Sequence, residues 1–238
     1  MEEFALSEEA ISALKAASKP GLERLFFDNE GVVVHKWVHY LPIYEQYFSR
    51  YQNSPVKMLE IGVNKGGSLN LWREYFGPKA TIFGIDVNPH CAHVAAAPNQ
   101  VRIGSQADPA FLVQVVDEMG APDIVLDDGS HIGRHQRASF ATLFPLLADG
   151  GLYVIEDTHT AYWPTIYEGG YRKPGTAIEF VKNIIDDMHG WYHGKPKNIP
   201  HSEQVGSLHV FDSIIIIEKR VSQRPGHAKI GASAAPQQ

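Results

Sequence analysis

The chain has 238 residues, of which 44% are hydrophobic and 20% charged, and its formal net charge is −6 at pH 7. This length and composition suit one globular core and leave little room for two full domains. The acidic balance argues against general binding of nucleic acid, which requires a basic surface.

Cysteine content and hydropathy narrow the class of protein further. Cys91 is the single cysteine, which excludes an intrachain disulfide and a zinc site built on thiolates. The acidic start lacks the basic and apolar regions of a signal peptide. The longest aliphatic run covers only residues 214–217, far short of a membrane span. We therefore expect a cytoplasmic protein without membrane contact.

Residues 1–55 form a mixed, aromatic segment that we expect to contribute to the acceptor side of a site. Ser7 can cap a helix predicted over Glu8–Ala17. His35 and His39 lie four residues apart and would share one face if this stretch is helical. They would then line an acceptor pocket, or at least one of them packs in the core beside Trp37.

From Val56 onward, short apolar segments rich in β-branched residues alternate with helical patterns. Such segments are typical of strands that are buried on both faces of a parallel sheet. The predicted strands cover residues 56–61, 81–85, 101–103, 123–126 and 152–155.

Helix signals separate these strands. Asp108 can cap a helix that has Pro109 at its first position and ends at Gly120. Thr176 and Glu179 have the spacing of a capping box ahead of an apolar face. Strand–helix alternation of this kind predicts a parallel sheet with right-handed crossovers.

The chain closes in a different way. Residues 207–211 and 214–218 flank a turn at Asp212 and Ser213, which predicts an antiparallel hairpin. The predicted fold class is α/β, a doubly wound, mostly parallel seven-stranded sheet with a C-terminal hairpin, over residues 56–220. Residues 221–238 are rich in Gly, Ala, Pro and Gln, and we expect them to be disordered.

Ligands of such sheets bind beyond the carboxyl ends of the strands. Glu60–Ser68 follows the first strand, and its glycines allow close backbone approach to a ligand. Asp86 ends the second strand, where an acid can accept hydrogen bonds from ribose. Gln106 and Asp108 follow the third strand, where an adenine edge would lie, although Asp108 also serves as a cap. The glycine spacing fits neither the dinucleotide fingerprint nor a phosphate-binding loop, and we favour a nucleoside site over an ordinary tight turn.

Acidic residues follow the fourth and fifth strands, at Asp127–Asp128 and at Glu156–Asp157. Adjacent parallel strands would place these turns side by side, and four carboxylates so close require a positive partner. Asp128, Glu156 and Asp157 suit Mg²⁺, whereas Asp127 could point toward the cofactor instead.

Two histidines accompany the acidic residues. His131 follows Asp128 closely and could remove a proton from a metal-bound hydroxyl. The alternative is a residue at a helix start that bonds to nearby backbone. His159 could be a metal ligand, although ions that prefer imidazole more often use two or three histidines.

Five segments of the chain carry a resemblance to a known family, namely Glu60–Ser68, Asp127–His131, Leu143–Leu147, Gly150–Asp157 and Tyr162–Pro164. On these segments the chain resembles the metal-dependent sugar O-methyltransferases of antibiotic biosynthesis, which are class I S-adenosylmethionine-dependent enzymes and include those acting on mycinamicin and on rhamnosyl groups. It is more distantly similar to macrocin- and cephalosporin-type methyltransferases. The resemblance covers residues 32–218.

The resemblance implies a Rossmann-like methyltransferase fold with S-adenosylmethionine and Mg²⁺ as cofactors. It implies that Asp128, Glu156 and Asp157 hold the metal and that His131 is the base. One departure is that residues 1–31 are too short for the additional N-terminal domain of the mycinamicin enzyme, so contacts made by that domain are in doubt. The residues that the resemblance places in the cofactor site are Glu60, Gly62, Ser68, Asp86, Gln106 and Asp127.

The expected function is Mg²⁺-dependent methyl transfer to a hydroxyl of a sugar or glycosylated natural product, by a homo-oligomer. Catechol-like acceptors are the main alternative, because they also chelate Mg²⁺ through adjacent oxygens. A metal-dependent hydrolase and a non-catalytic nucleoside-binding protein are alternatives from other classes. The aromatic segment Thr158–Lys173 would be a lid over the site, or would simply pack beneath its own loop.

Overall fold

The computed structural model describes residues 4–220 and 223–231. Its centre is a seven-stranded sheet with the order β3-β2-β1-β4-β5-β7-β6. Strands β1 to β5 are parallel, and β7 runs antiparallel to both β5 and β6. The strands are β1 (Lys57–Ile61), β2 (Thr81–Asp86), β3 (Gln100–Ile103), β4 (Ile124–Asp127), β5 (Leu152–Ile155), β6 (Val205–Val210) and β7 (Ile215–Lys219).

The predicted α/β fold class is confirmed, including the C-terminal antiparallel pair. Each predicted strand lies within two residues of the observed one, because short, largely apolar runs suit strands that are buried on both faces of a sheet. The helices are α1 (Glu8–Ala17), α2 (Leu22–Phe27), α3 (Leu41–Phe48), α4 (Gly67–Phe76), α5 (Pro109–Met119), α6 (Gly133–Leu143), α7 (Ala177–Met188) and the short α8 (Gly190–His193).

Of the three helix caps that the sequence predicts, those of α1 and α5 are confirmed and that of α7 is not. Ser7 accepts a hydrogen bond from the backbone of Ala10, and Asp108 caps α5 through its side chain. The predicted capping box of α7 is wrong. Thr176 occupies the cap position, but its hydroxyl donates to the carbonyl of Lys173 at 2.9 Å and makes no cap bond.

Alternate residues of each strand pack into two core clusters, one on each face of the sheet. Helices α5, α6 and α7 cover one face. The N-terminal segment covers the other, where Tyr40, Tyr44 and Phe48 pack with Trp72 and Phe76 of α4. Residues 1–55 therefore share their core with the sheet, and residues 33–37 of this segment run past its carboxyl edge.

The tail that we predicted to be disordered, residues 221–238, lies in part outside the described residues, at 221–222 and 232–238. Residues 223–231 are exposed and form no helix or strand. Within the described ranges, no helix has both the length and the apolar character required to cross a membrane.

Candidate active site

Strand register brings three loops to one rim of the sheet. Asp127 at the end of β4 pairs with Ile61 of β1 on one side and with Ile155 of β5 on the other. The next residues, Gly62, Asp128 and Glu156, therefore start neighbouring loops. The sequence prediction that the two acidic turns lie side by side holds in this geometry.

A cavity of about 490 Å³ opens at this rim, within the range of small-molecule sites. Its wall combines the loop after β1 with the acidic turns after β4 and β5, and the extended N-terminal stretch closes one side. The residues that line it include Val33, His35, Lys36, Trp37, Gly62, Asn64, Lys65, Gly67, Ser68, Asp86, Asp128, Gly129, His131, Glu156 and Asp157.

The loop after β1 is held in shape by Asp86. One carboxylate oxygen of Asp86 accepts hydrogen bonds from the backbone N–H groups of Val63 and Asn64, at 3.0 and 3.1 Å. Its other oxygen accepts from Asn88 N–H at 2.8 Å. Gly62 has φ +93° and packs against the backbone of Asp128, so a side chain has no room there. The loop thus presents backbone, and little side-chain bulk, to the cavity.

Glu60 lies beneath this loop and is fully buried. Ser68 Oγ donates to Glu60 Oε2 at 2.9 Å, while Glu60 Oε1 has no hydrogen-bond partner among the described residues. Burial raises the pKa of Glu60 to about 7, although nearby Lys36 opposes the shift. Ser68 therefore stands between this carboxyl and the cavity.

Gln106 and Asp127 lie behind the cavity wall. Gln106 Nε2 donates to Asp127 at 3.0 Å, and its oxygen accepts from Ser130 N–H at 2.7 Å. Asp127 also accepts from the hydroxyls of Ser139 and Tyr153, at 2.7 and 3.0 Å. These bonds brace β4 against β5 and α6 on the face opposite the acidic cluster.

The acidic turns place one histidine between two carboxylates. His131 Nε2 lies 3.9 Å from Asp128 Oδ1 and 3.8 Å from Asp157 Oδ2. One potential ligand atom from each of these three residues lies within 4.8 Å of the other two. His131 and Asp157 both have left-handed backbone, at φ +55° and +54°, a conformation that clusters at functional sites when it occurs in non-glycine residues.

The environment of His131 does not match that of a residue that merely caps a helix. Its Nδ1 is buried without a hydrogen-bond partner in the part of the chain that the structure describes. On the opposite side of the cluster, Tyr40 donates its hydroxyl hydrogen bond to Asp157 Oδ1 at 2.9 Å. The other carboxylate oxygen of Asp157 faces His131.

Lys36 is the residue that sequence reasoning missed. Its Nζ lies 2.5 Å from Asp128 Oδ2 and 2.8 and 2.9 Å from the two oxygens of Glu156, with Glu60 Oε1 at 3.8 Å. Burial alone would lower the pKa of Lys36, but the three carboxylates outweigh it and raise that pKa above its ordinary value. Lys36 is thus an ammonium, and it supplies part of the positive charge that we assigned to a metal alone.

Other predicted contributors lie around the aromatic side of the cavity. His35 lines the cavity, whereas His39 packs edge-to-face on Trp37. Because residues 33–37 form no helix and His39 lies in the short turn Val38–Tyr40, these histidines do not share a helix face. His159 bonds through Nδ1 to Ser213 and also packs on Trp37, and it lies outside the ligand group of Asp128, His131 and Asp157.

The segment Thr158–Lys173 lies over the acidic turns through a chain of rings. Trp163 contacts both His159 and Tyr167, with ring centroids 4.6 and 5.8 Å apart, and Tyr167 lies 6.0 Å from the ring of His131. Tyr171 is largely exposed, so the aromatic cover comes from the first half of the segment.

The residues at this rim fit both a nucleoside and a divalent cation. Two residues of the cavity wall have a buried polar atom without a hydrogen-bond partner in the described chain, namely His131 Nδ1 and Trp37 Nε1, and Glu60 Oε1 is a third such atom behind Ser68. Orphaned atoms of this kind indicate that a ligand completes the site. The carboxylates of Asp128 and Asp157 are the oxygen donors that Mg²⁺ prefers.

Curated proteins of known activity resemble the chain over nearly its whole length, although no family model matches it. It is 36% identical over 241 residues to 8-demethyl-8-alpha-L-rhamnosyl tetracenomycin-C 2'-O-methyltransferase from Streptomyces olivaceus, covering 95% of this chain and 61% of that protein. It is 37% identical over 228 residues to mycinamicin VI 2''-O-methyltransferase from Micromonospora griseorubida, covering 89% of this chain and 55% of that protein. The chain therefore spans between about half and three fifths of the length of these relatives.

Solved structures give the same result. The MycE methyltransferase in complex with Mg and SAH has a TM-score of 0.72 and 36% identity, with 89% of this chain and 57% of that one covered. The complex that also contains mycinamycin VI has a TM-score of 0.71 and 32% identity, with 91% and 62% covered. These matches confirm the resemblance that the motifs predicted. The chain has the methyltransferase fold of MycE and is similar in sequence to sugar O-methyltransferases over 55–61% of their length.

Proposed function

We propose that this chain transfers a methyl group from S-adenosylmethionine to a hydroxyl of a sugar or glycosylated natural product, with Mg²⁺ as the metal. One observation carries the proposal. The glycine loop with Asp86 and the acidic group of Asp128, His131 and Asp157 line the same cavity. The names of the relatives, which are sugar O-methyltransferases, support the acceptor class.

The cofactor side of the proposed site is the loop after β1. Gly62, Ser68 and Asp86 line the cavity, where backbone and a carboxylate suit the ribose and the amino acid end of the methyl donor. Glu60, Gln106 and Asp127 support the same site from one layer behind. Glu60 acts through Ser68, and Gln106 holds both Asp127 and the backbone of Ser130.

The metal side of the proposed site is formed by Asp128, Glu156 and Asp157. Asp128 and Asp157 each have a carboxylate oxygen that faces the cavity, whereas both oxygens of Glu156 are engaged by Lys36. When bound, Mg²⁺ would lower the pKa of an acceptor hydroxyl and hold its neighbouring oxygen.

His131 is the proposed base. Its Nε2 faces the cavity between the two aspartates, where it can take the proton from the acceptor hydroxyl. The acceptor oxygen then forms its bond to the methyl carbon as the bond from that carbon to sulfur breaks, which leaves S-adenosylhomocysteine. Alignment and fixed charges supply most of the acceleration, since the sulfonium is already an activated leaving group.

Aromatic side chains form the proposed acceptor side. Trp37 lines the cavity, and Trp163 and Tyr167 extend the aromatic surface beyond His131. Such rings suit the apolar face of a sugar or a polyketide. The net charge of −6 supports a small-molecule acceptor and not a nucleic acid. A homo-oligomer in the cytoplasm remains a prediction.

A glycoside panel tests this proposal. Purified protein is incubated with S-adenosylmethionine and rhamnosylated or other glycosylated polyketides, and the mass gain of one methyl group is measured. We expect transfer that EDTA abolishes and added Mg²⁺ restores. If calorimetry detects no binding of S-adenosylmethionine or S-adenosylhomocysteine, methyl transfer is excluded and the hydrolase alternative takes its place.

A further inference from the structure

A buried ammonium divides the carboxylate cluster into two parts. Lys36 Nζ contacts both oxygens of Glu156 and the Oδ2 atom of Asp128, and the Lys36 side chain is only 2% exposed. The opposite oxygen of Asp128 and the Oδ2 atom of Asp157 face His131 and the cavity. The inner part is thus closed by Lys36, and the outer part is open to a ligand.

The charge of the cluster is not balanced by Lys36 alone. Glu60, Asp128 and Glu156 each have a carboxylate oxygen within 3.8 Å of Lys36 Nζ, whereas Asp157 lies on the other side of the cluster, beside His131. Carboxylates held this close in a buried site attract a further cation strongly. Asp128 and Glu156, which would hold a divalent cation, are therefore already paired with the positively charged ammonium of Lys36.

The position of Lys36 in the chain allows its side chain to move. It belongs to the stretch 33–37, which forms no helix or strand and which itself lines the cavity. A lysine carries its charge at the end of a flexible four-carbon stem and can change direction without displacing the backbone. Lys36 can therefore leave Glu156 while Tyr40 and Tyr44, further along the segment, stay packed in the core.

We propose that Lys36 is a tethered counter-cation that neutralises Asp128 and Glu156 and that competes with the divalent cation for these carboxylates. This inference rests on the metal site of the proposed function. Glu156 joins the metal ligands only after Lys36 has released it, so Lys36 weakens the binding of the metal. It also keeps the buried carboxylates paired when no metal is bound. Lys36 is thus a positioning residue that acts through Glu156.

Replacing the ammonium with a neutral side chain of similar length tests this competition. Lys36→Met should lower the Mg²⁺ concentration at half-saturation by at least about tenfold, because like charges within about 4 Å repel strongly even at an effective dielectric of about 20. Calorimetry and the Mg²⁺-dependent shift of Tm measure this without any turnover. The matched control Lys79→Met removes the same charge from an exposed residue that does not line the cavity, and should change half-saturation by less than about twofold.

The sign of the change in Mg²⁺ affinity distinguishes competition by Lys36 from a role in which Lys36 only stabilises the metal ligands. Without Mg²⁺, Lys36→Met should have a lower Tm than the wild type, since its carboxylates lose their partner, and Mg²⁺ should raise that Tm more than it raises the wild-type value. Equal or weaker Mg²⁺ binding by a folded Lys36→Met protein would overturn the competition.

A second measurement uses the wild-type chain and does not depend on the folding of a variant. Lysine acetylation by acetic anhydride, read by mass spectrometry, reports how accessible each ammonium is. We expect Lys36 to be protected without metal and to react several times faster at saturating Mg²⁺, with the exposed Lys79 unchanged. Protection of Lys36 that is the same with and without Mg²⁺ would contradict its release.

The outcomes distinguish this inference from the proposed function. If the wild type binds Mg²⁺ and Asp157→Asn does not, but Lys36→Met binds no more tightly, only the competition is overturned. If neither the wild type nor Lys36→Met binds Mg²⁺, the metal site and the competition are both overturned.

Discussion

Gly62 and the backbone carbonyl of Asp128 are packed so closely that a Cβ at residue 62 would overlap that oxygen. Gly62 belongs to the proposed cofactor loop, and Asp128 begins the acidic turn after β4. The two halves of the site are therefore fixed to each other by backbone contact. Since the proposed methyl transfer requires a donor and an acceptor in line, this contact would set the distance between them.

Gly62→Ala should be much more damaging than an alanine at another glycine with positive φ. The new methyl group would meet the Asp128 backbone, and we expect a loss of roughly 2–3 kcal/mol or more in the free energy of unfolding. Gly150 is the matched control, since its φ is +77° and no atom lies within 4 Å of the place that an added methyl group would take. Gly150→Ala should cost roughly 1–2 kcal/mol from backbone strain alone. If urea denaturation gives equal losses in the free energy of unfolding for the two variants, the contact between the two loops does not contribute to stability.

His131→Ala should lower the rate of methyl transfer by roughly 10²–10⁴-fold if the imidazole is the base. Mg²⁺ affinity, measured by calorimetry, should stay close to that of the wild type. His135→Ala removes a neighbouring imidazole that bonds to Ser130 and does not line the cavity, and it is the matched control. A large loss of Mg²⁺ affinity in His131→Ala would instead make His131 a metal ligand, which its distances to Asp128 and Asp157 also permit.

Asp157→Asn should weaken Mg²⁺ binding by at least about tenfold, because it removes a negative oxygen from the cavity side of the cluster. An asparagine can still accept the hydrogen bond from Tyr40, so the fold should persist. Asp117→Asn removes the same charge from an exposed position on α5 and should bind Mg²⁺ as the wild type does. The proposed ligand role of Asp157 is wrong if both variants give the same half-saturation.

The pKa of Glu60 predicts a pH dependence of stability. Burial raises this pKa from 4.5 to about 7, so the folded chain binds the proton more tightly than the unfolded chain does. The resulting stabilisation is complete below about pH 4.5 and is lost as the pH rises to about 7. It amounts to roughly 3 kcal/mol over this window, on the scale of 1.36 kcal/mol for each pKa unit.

Glu60→Gln tests that dependence, since glutamine cannot ionise and can still accept from Ser68. The free energy of unfolding of the wild type, measured relative to the variant, should fall as the pH rises from 4.5 to 7. Glu74→Gln, at an exposed position on α4, should show no such difference. A constant difference between wild type and Glu60→Gln across this window would mean that Glu60 titrates near its ordinary value.

The spacing of apolar residues and the strand register explain why the loops of this rim could be predicted from the sequence. Short buried runs fix the strands, and strand ends fix which loops meet, so Asp86, Asp128 and Glu156 could all be assigned to one rim. Strand alternation also explains the position of Asp127. Successive side chains point to opposite faces, so Asp127 and Asp128 cannot both face the cavity, and Asp127 bonds to Tyr153 on the other side.

The position of Lys36 could not be derived in the same way. Its partners Asp128 and Glu156 lie 92 and 120 residues away in sequence, and the stretch 33–37 has no helical or strand period that would direct its side chain. The available signal was weak, a single lysine inside an otherwise apolar and aromatic run. The capping box at Thr176 was also mispredicted, for a local reason. The Thr176 hydroxyl donates to the carbonyl of Lys173 and makes no cap hydrogen bond to α7.

The most direct test of the proposed site is a crystal structure with S-adenosylhomocysteine and Mn²⁺, which replaces Mg²⁺ and gives an anomalous signal. We expect an anomalous peak for Mn²⁺ within coordination distance of carboxylate oxygens of Asp128 and Asp157. The sulfur of S-adenosylhomocysteine should lie in the same cavity, beside Gly62. A peak at other residues, or a cofactor bound outside this cavity, would contradict the proposal.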